Sequence, residues 1–126
     1  MPRISDYIVI RDGAFNLSPD EDKPGQQSFS IEVNDDAVRN ASAILSFRMH
    51  AHSNPNNLVF DVHIDNHLVF KYPFGLDGET CQTVHEIVNR NVLTLDPGLD
   101  ILRFSALSGS GTVSISDVVL HFQRDI

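Results

Sequence analysis

The sequence has 126 residues, which fits one domain, since two domains of ordinary size need about 200 residues or more. Hydrophobic residues make up 41% and charged residues 21%, which is enough apolar material for a core and excludes a disordered chain. The net charge of −8 argues against nucleic acid or an anionic membrane as a partner, because both attract clustered Lys and Arg. We therefore expect a single domain over residues 1–126.

Nine short segments have the composition of β-strands. They are rich in Val, Ile and Phe, and clusters of Gly, Pro, Asn and Asp separate them. In chain order we predict strands at 6–10, 28–33, 43–52, 58–64, 68–72, 83–88, 92–95, 100–107 and 112–122. The polar stretch from Arg11 to Gln27 reads as an exposed loop. This pattern predicts an all-β fold, a two-sheet antiparallel β-sandwich of the jelly-roll type with eight to nine strands.

The segments 58–64 and 68–72 read as a β-hairpin with a three-residue loop. In this register the apolar residues of both strands share one face, whereas a two-residue loop would shift every pair by one residue. The expected pairs are Ile64 with Leu68, Val62 with Phe70, Phe60 with Tyr72 and Asp61 with Lys71. If the segment 43–52 also pairs with 58–64, Arg48 lies opposite Asp61. The alternative is that these two strands lie in different sheets.

The last predicted strand changes phase in its middle. Val113 and Ile115 have one parity along the strand, and Val118 and Leu120 have the other. One extra residue near Ser116-Asp117 would keep both sets on the core side, so we predict a β-bulge there.

The order of these elements from Ala43 to Phe122 resembles the galactose-binding-like jelly-roll modules, which include many carbohydrate-binding modules. The segments Leu58–Phe70, Leu93–Phe104 and Val113–Phe122 carry the resemblance, which covers about two-thirds of the chain. It implies a β-sandwich and a binding module. In that family the ligand usually meets loops at one end of the sandwich, often with a structural calcium nearby.

The sharpest motif for chemistry is His50-Ala51-His52. On a strand, residues i and i+2 place both imidazoles on one face, within reach of one metal ion. His63 lies on the exposed face of the next strand, and a carboxylate such as Asp61 could complete the site. This predicts a metal site of His50, His52 and His63, against the alternative of two exposed histidines beside a loop.

Two loops contain candidate ligand-binding residues. Acidic groups such as Asp20 and Asp22 offer the oxygen ligands that calcium takes in proteins, and a solvated turn is the alternative. In the loop 73–81, Phe74, Asp77 and Glu79 could contact a ligand, since loops on a rigid β scaffold often carry binding. The alternative is that the apolar residues of this loop cap one end of the sandwich.

The only cysteine, Cys81, allows no intramolecular disulfide, and we expect it to be buried or half-buried. The first residues show no apolar signal segment. We therefore expect a cytoplasmic protein, with a mature secreted domain as the alternative.

Three functions are open at this point. The first is a non-catalytic, lectin-like binding module, with a saccharide or a protein as partner and contacts from the loops at 12–27 and 73–81. The second is an assembly subunit that forms a homo-oligomer or part of a larger complex, because open strand edges invite association. The third is a metal-dependent enzyme using His50 and His52. Calcium is the first choice of ion and zinc the second.

Overall fold

The computed structural model describes residues 3–20, 24–31, 42–74, 80–89, 92–93 and 100–125. In these residues the regular structure is all antiparallel β, which confirms the predicted fold class. The strands are β1 (Arg3–Arg11), β2 (Phe15–Leu17), β3 (Gln26–Ile31), β4 (Ala43–Ile64), β5 (His67–Pro73), β6 (Thr80–Val88) and β7 (Asp100–Asp125). No helix in the described residues is long and apolar enough to cross a membrane.

Two long strands organise the fold. β4 and β7 pair with each other over nearly their whole lengths, and the shorter strands pair with one or the other. The first half of the sheet contains β1, β2 and β6 with 43–52 of β4 and 112–125 of β7. The second half contains β3 and β5 with 58–64 of β4 and 100–107 of β7. Four predicted strands have therefore merged into two, which leaves one continuous seven-stranded sheet in the described residues.

The apolar faces of the two halves pack against each other. Phe47 in the first half meets three rings of the second half edge-on, with centroids 6.4 Å from Phe60, 5.8 Å from Phe70 and 5.3 Å from Phe104. Each half thus has an inner face in the core and an outer face turned away from it. Edge-to-face rings add roughly 0.5–1.5 kcal/mol each beyond the area they bury.

The bend between the halves depends on glycine. Gly109 and Gly111 in β7 have φ values of 88° and 107°. A side chain at Gly109 would place its Cβ 2.1 Å from the carbonyl oxygen of Asn57, in the facing bend of β4. At this bend the backbones of β4 and β7 come so close that only a residue without a side chain fits between them.

The hairpin of β4 and β5 confirms part of the predicted register. Asp61 pairs with Lys71, as expected, but Leu68 pairs with His63 instead of Ile64. The turn has two residues, and the irregularity after Val62 restores the predicted pairs further along. Correctly predicted pairs also include Phe60 with Tyr72 and Val62 with Phe70. The predicted core position of Leu68 is wrong, because this shift leaves it 57% exposed.

The predicted bulge in β7 is confirmed. Ser46 pairs with Val119 and Arg48 with Ser116, so β7 has one extra residue between these pairs. Asp117 occupies this region with a φ of 53°. The residues on both sides of the phase change are buried, namely Val113, Ile115, Val118, Leu120 and Phe122.

Several other expectations are corrected. Arg48 does not lie opposite Asp61, because both parts of β4 pair with β7 and lie in different halves. The predicted loop 11–27 contains β2, whose three residues were too few to stand out in a polar segment. The predicted strand 92–95 begins with a turn at Val92, and its last two residues lie outside the described part. Cys81 is exposed, because it points outward from β6 opposite His50.

Candidate functional site

Polar side chains collect on the outer face of the second half. One cross-strand row runs from Gln26 through Ser105 and Asp61 to Lys71. The next row includes Arg103 beside His63. Directly opposed residues in antiparallel strands have side chains on the same face. The register of four strands therefore brings together a carboxylate, an imidazole, a guanidinium, a hydroxyl and an amide.

These residues surround a concavity of about 550 Å³, which we call the Asp61 pocket. Its walls come from β3, β4, β7 and the residue before β3. The lining residues are Gly25, Gln26, Asp61, His63, Arg103, Ser105, Ala106 and Leu107. A surface hollow with a few converging polar groups is the usual form of a small-ligand site.

Asp61 and His63 form a close pair within the pocket. The carboxylate oxygen Oδ1 of Asp61 lies 3.5 Å from the ring nitrogen Nδ1 of His63, and their side chains are 10% and 21% exposed. Neither atom has a hydrogen-bond partner among the described residues, and both are buried.

Arg103 adds donors to the same pocket. Its Nε is buried and has no hydrogen-bond partner in the described part of the chain. A guanidinium only donates hydrogen bonds and a carboxylate only accepts them. The pocket therefore offers both kinds of group side by side, with hydrogen-bonding capacity that these residues do not satisfy among themselves.

Backbone contacts hold the neighbourhood of the pocket. The amide of Ala106 donates to the carbonyl oxygen of Gly25 at 2.8 Å, which fixes the start of β3 beside β7. At the other end, the turn residue Asp65 donates its amide to the carbonyl of Ile101 and accepts from the Ile101 amide through Oδ1, at 2.8 and 2.9 Å. These contacts attach the pocket walls to β7 on both sides.

The three predicted metal ligands are not brought together. His50 and His52 share the outer face of the first half, with ring centroids 5.1 Å apart, whereas His63 lies in the second half. His52 is also engaged by hydroxyl groups, with Nε2 at 2.8 Å from Ser114 and Nδ1 at 3.0 Å from Ser53. Among the described residues, no three His, Cys, Asp or Glu side chains form a group suited to a metal ion.

Two of the five predicted ligand-binding residues lie in the described part. Asp20 is exposed, and its amide donates to Oγ of Ser18 at 3.3 Å. Phe74 is only 3% exposed and stacks on Phe60, so it caps the core as the alternative interpretation expected. The remaining three residues, Asp22, Asp77 and Glu79, lie outside the described residues. A calcium ion at Asp20 and Asp22 stays a prediction.

The sequence interpretation missed Arg103, Ser105 and Gln26. The alternation of Leu102, Phe104 and Ala106 was visible, and it already placed Arg103 and Ser105 on the outer face. The missing information was which strand lies beside β7, since only that pairing joins Arg103 to His63.

The comparisons with known proteins support the fold. No protein-family model and no curated protein matches the sequence. Dimeric latent PorU from Porphyromonas gingivalis is similar with a TM-score of 0.64 and 11% identity, over 99% of this chain and 13% of that chain. BuGH86 in complex with neoagarooctaose is similar with a TM-score of 0.60 and 13% identity, over 97% of this chain and 19% of that chain. This chain thus spans less than a fifth of either protein.

A third neighbour matches along almost its full length. The xylan-binding module CBM15 has a TM-score of 0.47 and 8% identity, with 96% of this chain and 97% of that chain covered. The chain has the β-sandwich fold.

Proposed function

We propose that this protein is a non-catalytic β-sandwich module that binds a saccharide in the Asp61 pocket. The observation that carries the proposal is the grouping of a carboxylate, an imidazole and a guanidinium around one concavity. They belong to Asp61, His63 and Arg103, each of which has one buried nitrogen or oxygen with no hydrogen-bond partner among the described residues. Buried polar groups are usually hydrogen-bonded, so each unpaired one needs an explanation, and a binding site is one.

The chemistry of the pocket selects the class of ligand. Asp61 needs a hydrogen-bond donor and Arg103 needs an acceptor, so a simple anion or a simple cation would suit only one of them. A hydroxyl group is both donor and acceptor, and a sugar ring carries several on adjacent carbons. Hydrogen bonds to charged groups contribute about 1.5–3 kcal/mol each, which is enough for two of them to orient a ring.

One of the structural neighbours supplies a first ligand to try. BuGH86 was solved in complex with neoagarooctaose, and part of that protein has the fold of this chain. This supports saccharides as the class of ligand, and neoagarooctaose and xylan form a suitable first panel.

The test is isothermal titration calorimetry of the protein with this panel. Asp61→Asn and Arg103→Gln should each weaken binding about 10- to 100-fold, because each removes a charged hydrogen-bonding group from the pocket. Arg48→Gln is the matched control, since Arg48 lies on the outer face of the first half and its side chain is 59% exposed. Circular dichroism melts establish that all variants fold. Equal binding by all three variants, or no binding by the wild type, contradicts the proposal.

The assembly alternative also has an observation in its favour. Exposed apolar side chains lie across the outer face of the first half, with Ile87 at 66%, Tyr7 at 60%, Val9 at 54% and Ile44 at 42% exposure. Ile44 pairs directly with Ile87, and β7 lies between Ile44 and the two residues of β1. Such a patch suits a contact between two copies of the chain.

Light scattering after size-exclusion chromatography tests this second candidate. If the patch joins two copies, the wild type elutes as a dimer and Ile87→Glu elutes as a monomer. Leu68→Glu changes an exposed apolar residue on the second half and should leave the dimer intact. A wild-type monomer at high concentration excludes the candidate.

A further inference from the structure

We infer that the Asp61 pocket contains a second subsite at Leu107, so that it binds two linked sugar rings better than one. This inference rests on the proposed function. It names Leu107 as the residue that distinguishes an oligosaccharide from a single sugar.

The pocket has a polar end and an apolar end. Arg103 and Ser105 project from the same face of β7, and Leu107, the extra residue between the pairs of Ala106 and Ser108, lines the pocket with them. The four-residue step from Arg103 to Leu107 covers about 13 Å of an extended strand, which is longer than a single sugar ring. Asp61 and His63 face the end with Arg103, because they pair with Ser105 and Arg103. Leu107 lies beyond them.

Leu107 is an exposed apolar residue at the edge of a polar surface. Its side chain is 48% exposed, and the neighbouring lining residues, Ala106 and Gly25, have no polar side-chain atoms. A sugar ring has hydroxyls around its rim and an apolar face of C–H groups. Such a face gains free energy when it covers apolar surface, by roughly 25 cal/mol per Å². Arg103 lies four residues before Leu107 on β7, and Asp61 pairs with Ser105, two residues before it, so a ring bound between Asp61 and Arg103 leaves Leu107 for a second ring.

The experiment compares saccharides of increasing length on the wild type. The probes are xylose to xylotetraose and neoagarobiose to neoagarooctaose, each titrated by calorimetry. In the series that binds, the affinity should rise about tenfold when a second ring is added, the size of effect that one apolar contact of this kind supplies. For saccharides longer than the pocket, the affinity should change little with each added ring.

Two leucine variants give the matched comparison. Leu107→Ser should remove the tenfold gain and leave the binding of the shortest ligand unchanged. Leu68→Ser removes another exposed leucine, which does not line the pocket, and it should keep the gain. A Leu107→Ser variant with wild-type length dependence overturns the subsite.

The outcomes separate the subsite from the proposed function. If saccharides bind, Asp61→Asn weakens binding about 10- to 100-fold and the affinity does not depend on ligand length, the subsite is wrong and the proposed function stands. If no member of either series binds, both are wrong.

Discussion

Replacing Gly109 with alanine should destabilise the fold strongly. The new Cβ would lie 2.1 Å from the carbonyl oxygen of Asn57, where real Cβ contacts stay above 3.0 Å, so the two backbones must separate by 0.9 Å (3.0 − 2.1). The φ of 88° at position 109 adds about 1–3 kcal/mol of strain for any residue with a side chain. The separation also strains the adjacent pair of Asn56 and Ser110, and a lost ladder hydrogen bond costs about 1 kcal/mol.

The sum, about 2–4 kcal/mol, is a large part of the 5–15 kcal/mol that holds a typical domain folded. Urea titration followed by far-UV circular dichroism measures it, since the chain has no Trp for fluorescence. The Tm should fall by roughly 10–20 °C. Gly13→Ala is the control, because a Cβ at Gly13 meets nothing within 4 Å, and it should change stability by less than about 0.5 kcal/mol. If the two variants are equally stable, the close approach at the bend is wrong.

Four further measurements test the core, the bulge, the thiol and the pocket. Phe47→Ala should cost about 3–5 kcal/mol in urea titration, because three rings lose their common partner, and a loss below about 1 kcal/mol would contradict that packing. Asp117→Val should cost about 1–3 kcal/mol at its positive φ, while Asp117→Gly should stay within about 0.5 kcal/mol; equal effects would mean an ordinary strand there. Native protein should react with a thiol reagent at Cys81 without denaturant, and protection until unfolding would show that the thiol is buried. Asp61→Asn should keep or raise the Tm, because it removes a buried charge whose Oδ1 has no hydrogen bond among the described residues; a clear fall would assign a structural role to its 3.5 Å contact with His63.

Residue alternation predicted the details of single strands well. The change of parity between Ile115 and Val118 can keep both residues inside only with an extra residue, and the bulge is found at that place. The hairpin shows the limit of the same reasoning. A three-residue loop and a two-residue turn with a bulge produce the same pairs at Asp61 and Lys71, so the sequence could not separate them.

The strand pairing could not be predicted from alternation alone. Residue alternation predicts on which face of a strand a side chain lies, but it does not predict which other strand lies beside that strand. The predicted ligands His50 and His63 both face outward as expected, yet they belong to different halves of the sheet because β4 bends between them. For the same reason Arg103 was not connected with Asp61 in advance.

The proposed function of the pocket would let one pair of strands serve both stability and recognition. Asp61 and His63 alternate along β4 with the buried residues Phe60 and Val62, and Arg103 on β7 lies between buried Leu102 and Phe104. The core contacts on the inner face fix the backbone positions of the polar residues on the outer face. A ligand of the proposed site would meet groups that are already in place, which reduces the entropy lost on binding. Substitutions on the outer face leave the core contacts in place, so the proposed binding and the stability of these strands can be measured separately.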